Sequence, residues 1–359
     1  MRKPDVSKIK TPPPESLPAI RARFKEMKVD NLRADMIEAE IKDLLEETAA
    51  TVANDVEREK EAAKQRQAIK FSEMEVISIV GPSGSTKTTS MEAIKAKWYK
   101  ARPGEMPIVI VPLRKGTRSD KQLLVQILEA FKDPQADVVR KSIATYSQAN
   151  AIKAIRNIAR AMGTYIVVLD EANNMIGQDE TATARPMAMA IKSLLNEGVF
   201  SVVVMGTRKA YRLFEVDPEL NSRKFADINL DPVNLNEPTE RTYFFKFVGE
   251  VDRQMQRQGI VEARVGLIED ISSRAKVYDL SGGIVGNVIR VLRIALRFAH
   301  RDGRRSIEWT DIEAAFYHWR MEHVDDNGDP VKMYDPFKDG PKERTLRLVR
   351  ELKKASEPT

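Results

Sequence analysis

The run Gly81-Pro82-Ser83-Gly84-Ser85-Thr86-Lys87-Thr88-Thr89 gathers small and hydroxyl-bearing residues around a single lysine. A loop of this composition between an apolar strand and a helix turns its backbone N–H groups on an anion. The helix N-terminus behind it adds partial positive charge. The spacing follows G-x-x-x-x-G-K-[ST], the phosphate-binding loop, with Thr86 where the second glycine is expected. Lys87 is placed to reach the β- and γ-phosphates of a nucleotide, and the Thr88 hydroxyl to bind Mg²⁺. A β-branched residue at position 86 resists positive φ and crowds a backbone that must approach phosphate. That departure favours weaker binding or slower turnover. An ordinary Gly/Ser turn before a helix is the alternative the loop alone leaves open.

A second group of residues narrows the chemistry to nucleotide hydrolysis. Tyr165–Leu169 is an apolar run that ends in Asp170-Glu171. Two adjacent carboxylates after such a strand, downstream of a phosphate loop, divide the work of a nucleotide hydrolase. Asp170 would hold Mg²⁺ through water, and Glu171 would orient and polarise the attacking water. A helix-capping turn is the plainer reading of the same pair. Phe200–Met205 runs into Gly206-Thr207, and a hydroxyl at the end of that strand can touch the γ-phosphate or the water. Asp217-Pro218-Glu219-Leu220-Asn221-Ser222-Arg223 ends a short helix on an arginine. From there a guanidinium can reach the γ-phosphate of a neighbouring subunit and stabilise charge on the transferring group. By spacing alone, Arg223 also reads as a surface residue.

The elements that must position these groups alternate between two periods. Glu75–Val80, Pro107–Pro112, Tyr165–Leu169 and Phe200–Met205 are short apolar runs of strand length. Helical patterns lie between them: one to about Tyr99, then Lys121–Phe131, Ala149–Met162 and Pro186–Asn196. Such alternation implies an α/β fold with a parallel sheet covered by helices. From Glu237 to Glu322 the strand signal disappears, and helical stretches near 238–257, 265–279, 283–301 and 309–322 form a small helical domain. We divide the chain into a Lys/Pro-rich extended arm (1–29), a helical segment (30–70) opening at Asp30, a nucleotide-binding domain (71–235), a helical domain (236–323) and a flexible C-terminal tail (324–359). The helical segment reads as a long amphipathic helix packed on the main domain, or as an oligomer contact.

Composition excludes several other chemistries. The chain has no cysteine, so disulfide frameworks, thiolate metal sites and cysteine nucleophiles are all absent. Of its histidines, His300, His318 and His323 sit in helical pattern and read as ordinary helix residues. No apolar run approaches the ~20 residues of a membrane helix. The N-terminus lacks the apolar core of a secretory signal, so a cytoplasmic location without membrane contact is expected. The net charge of +6 permits nucleic-acid binding without demanding it.

Taken in order, these segments resemble the AAA+ transposition regulators TniB, TnsC and MuB, and TniB most of all. The resemblance runs from about Met74 to Glu322. EANNMIG (171–177) is similar to the family's DE-x-H-N-x-x-x-G, with Asn173 where His is common. MGTRKA (205–210) resembles its sensor 1 segment, and PELNSRKF (218–225) its arginine segment, with Lys224 inserted between the usual Arg and Phe. LSGGIVGNVIRVL (280–292) looks like the lid helix, where Arg290 is the candidate sensor 2 residue.

The resemblance implies an AAA+ P-loop fold with a helical lid and ATP with Mg²⁺ at the site. It also implies self-association into a ring or helical filament on duplex DNA, and target-site selection. A transposase, with a target-selection adaptor, would be recruited, and hydrolysis would drive disassembly. It further implies DNA contacts from the loop after the second strand, where Arg114, Lys115, Thr117, Arg118 and Lys121 would neutralise phosphates without reading bases. A solvated basic turn is the other reading of that loop. The competing functions are another AAA+ DNA ATPase, of initiator or helicase-loader type, and a nucleotide-gated scaffold that hardly hydrolyses ATP. Initiators usually carry a winged helix after the lid, and too few residues follow Val324 to hold one. The tail's Leu346, Leu348, Val349 and Leu352 read as a contact for the transposase or adaptor.

Overall fold

The computed structural model describes residues 16–27, 29, 31–132, 147–322 and 333–356. Pro12–Pro14 of the arm, Asp30 and His323 lie outside the described residues. The chain forms two compact units: one spans Leu32–Pro232, and the other combines residues up to Asn31 with those from Val233 on.

The first unit is built on a five-stranded parallel sheet. Its strands are β1 (Val76–Val80), β2 (Ile108–Pro112), β3 (Ile166–Asp170), β4 (Ser201–Gly206) and β5 (Lys224–Asn229). Their order is β2-β3-β4-β1-β5. Strands β1, β3 and β4 are buried along their whole length. That explains their unbroken apolar sequences, because a parallel sheet covered on both faces exposes neither set of alternating side chains.

Val76, Val109, Val167, Leu169, Val202 and Val204 belong to the core on one face. The helices there are α4 (Asp120–Ala130), α5 (Gln148–Met162) and α6 (Glu180–Leu195). Ile77, Ile79, Ile108, Val168, Val203 and Met205 belong to the core on the other face. There α2 (Leu32–Gln65) and α3 (Lys87–Ala101) cover the sheet. In α2 the buried Ile37, Ile41, Leu44 and Leu45 recur at three- and four-residue spacing, so this half of the helix is a layer of the α/β unit. Helix α6 starts at Glu180, six residues before the expected start at Pro186. Asp179 accepts from the N–H of Ala182 as its cap, and Pro186 is carried inside the helix.

The second unit is helical: α1 (Leu17–Glu26), α9 (Pro238–Arg257), α10 (Ile271–Ser281), α11 (Val285–Arg301), α12 (Trp309–Glu322) and α13 (Glu343–Ser356). The short helices α7 (Arg212–Glu215) and α8 (Pro218–Ser222) belong to the first unit.

Two expectations are corrected here. Residues 17–26 of the supposed arm are helical, and Ile20 and Phe24 are buried in the helical unit's core. Pro18 misleads in the sequence because it reads as part of the Pro12–Pro14 run, yet a proline in a helix's first turn costs no hydrogen bond. The tail holds the short helix expected around Arg344–Lys354, here α13, but it is not a free tail, because its Leu348 and Val349 are core residues. Arg241 donates to the Leu348 carbonyl at 2.9 Å. The Asp279 carboxylate accepts from the N–H of Lys342 at 2.7 Å and from the Thr345 hydroxyl at 2.8 Å. The apolar residues read as a partner contact are therefore occupied within the chain, except Leu352, whose side chain lies outside the described residues.

Candidate functional site

All five strands run in parallel, so their C-terminal ends lie along one edge of the sheet. The phosphate loop leaves β1, Asp170 closes β3, Thr207 follows β4 and the basic loop leaves β2. Val80 pairs with Gly206 and Pro112 with Asp170, which sets these four segments side by side.

Gly81 opens the loop with its N–H bonded to the Gly206 carbonyl at 3.1 Å. A Cβ at Gly81 would stand 2.8 Å from both Leu230 Cβ and the Leu230 carbonyl oxygen, so the backbone leaves no room for a side chain there. Gly84 and Thr86 both take positive φ, at 85° and 69°. Thr86 thus adopts the left-handed conformation that the missing glycine would have supplied. Pro82 and Ser83 form the outer curve of the loop, Ser85 is buried, and Thr89 is exposed on the first turn of α3.

The Lys87 ammonium turns back into this loop. It donates to the Gly81 carbonyl at 2.7 Å, the Pro82 carbonyl at 3.0 Å and the Ser85 hydroxyl at 3.1 Å. Burial pushes its pKa below the ordinary lysine value, while the nearby Glu171 and Asp170 charges pull it upward. The Thr88 hydroxyl donates to Asp170 Oδ2 at 2.8 Å. A hydroxyl and a carboxylate in contact at the mouth of the loop form a hard oxygen pair. Mg²⁺ fits such a pair, since it takes one or two protein oxygens alongside phosphate and water. Among the described residues no cluster of three or more His, Asp or Glu side chains could hold a metal.

Glu171 is exposed and sits at φ 56°, its N–H donating to Asp170 Oδ1 at 2.8 Å. Asn173 gains a role that the sequence reading did not assign. Its amide nitrogen lies 3.4 Å from Glu171 Oε2, and its amide oxygen accepts from the N–H of Thr207 at 3.2 Å. It therefore bridges the carboxylate after β3 and the hydroxyl residue after β4. The signal available was the Asn standing where His is common.

Arg223 is the one expected catalytic residue that the structure sets apart. It immediately precedes β5, and its carbonyl accepts from the N–H of Val76, at the opposite end of β1 from the phosphate loop. A strand of this length separates the two by about 13 Å. The guanidinium donates to Asn196 Oδ1 at 2.7 Å and pairs with Glu73 at 3.1 Å and Glu219 at 3.2 Å. The additional Lys224 is absorbed locally: Val76 pairs with Lys224 and Ile77 with Ala226, so Phe225 is the extra residue of a β-bulge. The Lys224 ammonium stacks 4.0 Å from the Tyr211 ring centroid and pairs with Asp227.

The basic loop is only partly free to meet a ligand. Arg114, Lys115 and Arg118 are exposed, Lys121 is half-buried, and Arg114 pairs with Glu129 at 2.7 Å. Thr117 is corrected: it is 2 % exposed, donates to the Arg114 carbonyl and accepts from the Gln126 amide, so it shapes the turn and cannot contact DNA. Arg290 belongs to the helical unit and lines a groove there with Arg293 and Arg297.

A parallel sheet in the order β2-β3-β4-β1-β5, a phosphate loop after β1, an Asp-Glu pair after β3 and a helical unit following the sheet define an AAA+ P-loop ATPase. The family model for the bacterial TniB protein matches residues 52–234, just over half the chain, and the chain belongs to the TniB family. No curated protein matches it. Among solved structures, the ORC2 protein of Aeropyrum pernix in its ADP form is 16 % identical, with 83 % of this chain and 72 % of that one covered at a TM-score of 0.50. The same protein as ADPNP–ADP complexes is 16 % identical, covering 78 % and 69 % at 0.48. The Aeropyrum pernix ORC1 protein in complex with DNA is 14 % identical, covering 78 % and 65 % at 0.44. Among the described residues no helix is long and apolar enough to cross a membrane.

Proposed function

We propose that this protein is an ATP-dependent DNA-binding ATPase that oligomerises on duplex DNA, selects the target site there and recruits a transposase, with hydrolysis driving disassembly. The observation that carries self-association is the position of Arg223. The site on the phosphate-loop edge holds a lysine, a hydroxyl pair and two carboxylates, while the arginine suited to the γ-phosphate stands at the other end of the sheet. A ring or filament in which one subunit's Arg223 faces the next subunit's loop reconciles the two. TniB membership and the exposed Arg114, Lys115 and Arg118 on the same edge as the site support the DNA partner.

ATP is the substrate. Its phosphates replace the loop carbonyls as partners of the Lys87 ammonium, and the loop's N–H groups close around them. Thr88 and Asp170 would hold Mg²⁺, which would supply positive charge to offset that of the phosphates. Glu171 accepts a proton from the attacking water, and Asn173 holds that carboxylate in register with Thr207. Thr207 contacts the γ-phosphate or the water. Arg223 of the next subunit gives up its own Glu73 and Glu219 partners to stabilise the transferring group.

The test is electron microscopy of the protein with duplex DNA and Mg²⁺, comparing no nucleotide, ADP and a slowly hydrolysed ATP analogue, with Lys87→Ala as control. DNA-bound rings or filaments seen only with the analogue, and lost in the variant, are the expected result. An absence of DNA-bound assemblies under every condition overturns the reading and leaves an ATPase of another task.

A further inference from the structure

The helical unit contains a concentration of positive charge to which the proposed hydrolysis assigns no role, Arg290 alone having been a sensor 2 candidate. Helix α11 places Arg290, Arg293 and Arg297 at three- and four-residue intervals along one side, while Val288, Val291, Leu292 and Ala295 on its other side enter the core. Helix α1, anchored through Ile20 and Phe24, brings Arg21 to the same place from far away in the sequence. With His318 and Trp319 of α12 these side chains line a groove of about 380 Å³. Among the described residues none of the four arginines makes an ion pair with a carboxylate. Their neighbours in the same unit do: Arg304 pairs with Asp311 at 2.7 Å, Arg253 with Glu250 at 2.6 Å and Arg320 with Asp335 at 3.2 Å.

Arg297 shows how the groove is tuned. Its Nη2 lies 2.7 Å from His318 Nε2. A guanidinium has no acceptor, so in this contact the histidine Nε2 accepts. The imidazole therefore orients a cation and contributes no counter-charge.

Four guanidiniums gathered in one groove without a carboxylate partner repel one another, and a bound anion relieves that repulsion. From Arg290 to Arg297 the helix advances about 10 Å. One strand of duplex carries a phosphate roughly every 3.4 Å along the axis, so about three phosphates fall within that length. A single carboxylate or phosphate would neutralise only part of the array, whereas a run of phosphates meets it cation by cation. Guanidinium forks bind phosphate oxygens bidentately and read no base.

We propose that this arginine groove binds a run of phosphates along a nucleic-acid backbone, as a second DNA contact separate from the loop after β2. The choice of nucleic acid over a free polyphosphate rests on the DNA-binding reading above; the arrangement of charges does not.

The experiment measures duplex DNA affinity by fluorescence anisotropy over a salt series, with Mg²⁺ and a slowly hydrolysed ATP analogue. The wild type is compared with the double variant Arg21→Ala/Arg293→Ala. Both residues are exposed, so the substitutions leave the core intact, and thermal melting with DNA-free ATPase activity verifies the fold. Loss of two phosphate contacts lowers the slope of log K against log salt by about 1.8, and at 0.1 M salt weakens binding roughly sixtyfold. Wild-type binding with an unchanged slope and affinity in the folded variant overturns the groove and leaves the proposed function standing. A wild type that binds no DNA overturns both. A parallel titration with tripolyphosphate separates the two phosphate sources: if it binds the groove as tightly as duplex of equal charge, the ligand is a small polyphosphate and the nucleic-acid assignment falls. Should the double variant lose binding of an acidic peptide while duplex binding is untouched, the partner is a protein and the proposal is likewise overturned.

Discussion

Replacing Thr86 by glycine tests whether the loop is held in shape against a local preference. Thr86 sits at φ 69° and ψ 6°. An L-residue in the left-handed region costs about 1–2 kcal/mol, and glycine carries no such penalty. Glycine also frees the unfolded chain, which returns about 0.5–1 kcal/mol of that gain. The net expectation for Thr86→Gly is a stabilisation of about 0.5–1 kcal/mol, or roughly 2–4 °C per kcal/mol in the melting of a unit this size. Thr86→Ala keeps a Cβ and therefore most of the penalty, so the order of stability should be Gly above Ala. The assay is urea denaturation of the nucleotide-free protein, with ATP affinity measured in parallel. Because Thr86 already has the geometry a glycine would adopt, affinity should stay within a few-fold. A glycine variant no more stable than the alanine variant would refute the strain argument. A gain in affinity above tenfold would show that the threonine distorts the cradle.

Three further outcomes follow from the site and the helical unit. Glu171→Gln should lower turnover by about 10²–10⁴ while ATP binding, measured with a fluorescent analogue, is retained, and unchanged turnover would remove Glu171 from the role of base. Arg223→Ala and Lys87→Ala should each be inactive alone, yet mixing them should restore part of the ATPase activity, because a mixed assembly can unite one variant's intact loop with the other's intact arginine. No recovery in demonstrably mixed oligomers would count against catalysis across subunits. Burial raises the Asp279 pKa above its ordinary 3.8, against the opposing bonds from Lys342 and Thr345. A carboxyl that binds its proton more tightly when folded gains stability as pH falls from neutrality through the folded-state pKa, and the gain is complete below the unfolded value. In denaturant titrations the wild type should therefore gain on Asp279→Asn between pH 7 and pH 4, and a difference independent of pH would refute the assignment.

Much of this was legible in the sequence because the α/β unit obeys local rules. A fully covered parallel sheet needs continuous apolar strands, and Val76–Val80, Ile166–Leu169 and Val202–Met205 stand out as such runs. Parallel strands then bring Lys87, Thr88, Asp170, Glu171 and Thr207 to one edge without further information. What was not legible depends on contacts between distant segments. The helix at Leu17–Glu26 has only Ile20 and Phe24 to declare its buried side, and its partners lie more than two hundred residues away. Helix α13 carries an apolar stripe that reads equally as a partner contact, and only the packing of Leu348 and Val349 in the helical core decides between them. Asn173 is a polar residue after a strand until the positions of Glu171 and Thr207 give it two partners.

The insertion of Lys224 joins sequence and mechanism most closely. One extra residue between an arginine and a strand shifts either the arginine or the strand. A shift of the strand by one residue would send Ile228, buried in the sheet's core, to the opposite face and expose what should be covered. The bulge at Phe225 takes up the extra residue at the first pair, so Ile79 still meets Ile228 and Val80 still meets Asn229. Arg223 accordingly keeps its place at the end of α8, where Asn196, Glu73 and Glu219 hold it. Both carboxylates are about half exposed, and ion pairs in that setting are weak. Under the proposed assembly, a neighbour's γ-phosphate, which carries more charge, would be the stronger partner. Exchange of the arginine from its own glutamates to that phosphate would then favour assembly when ATP is bound and release it once the phosphate has gone.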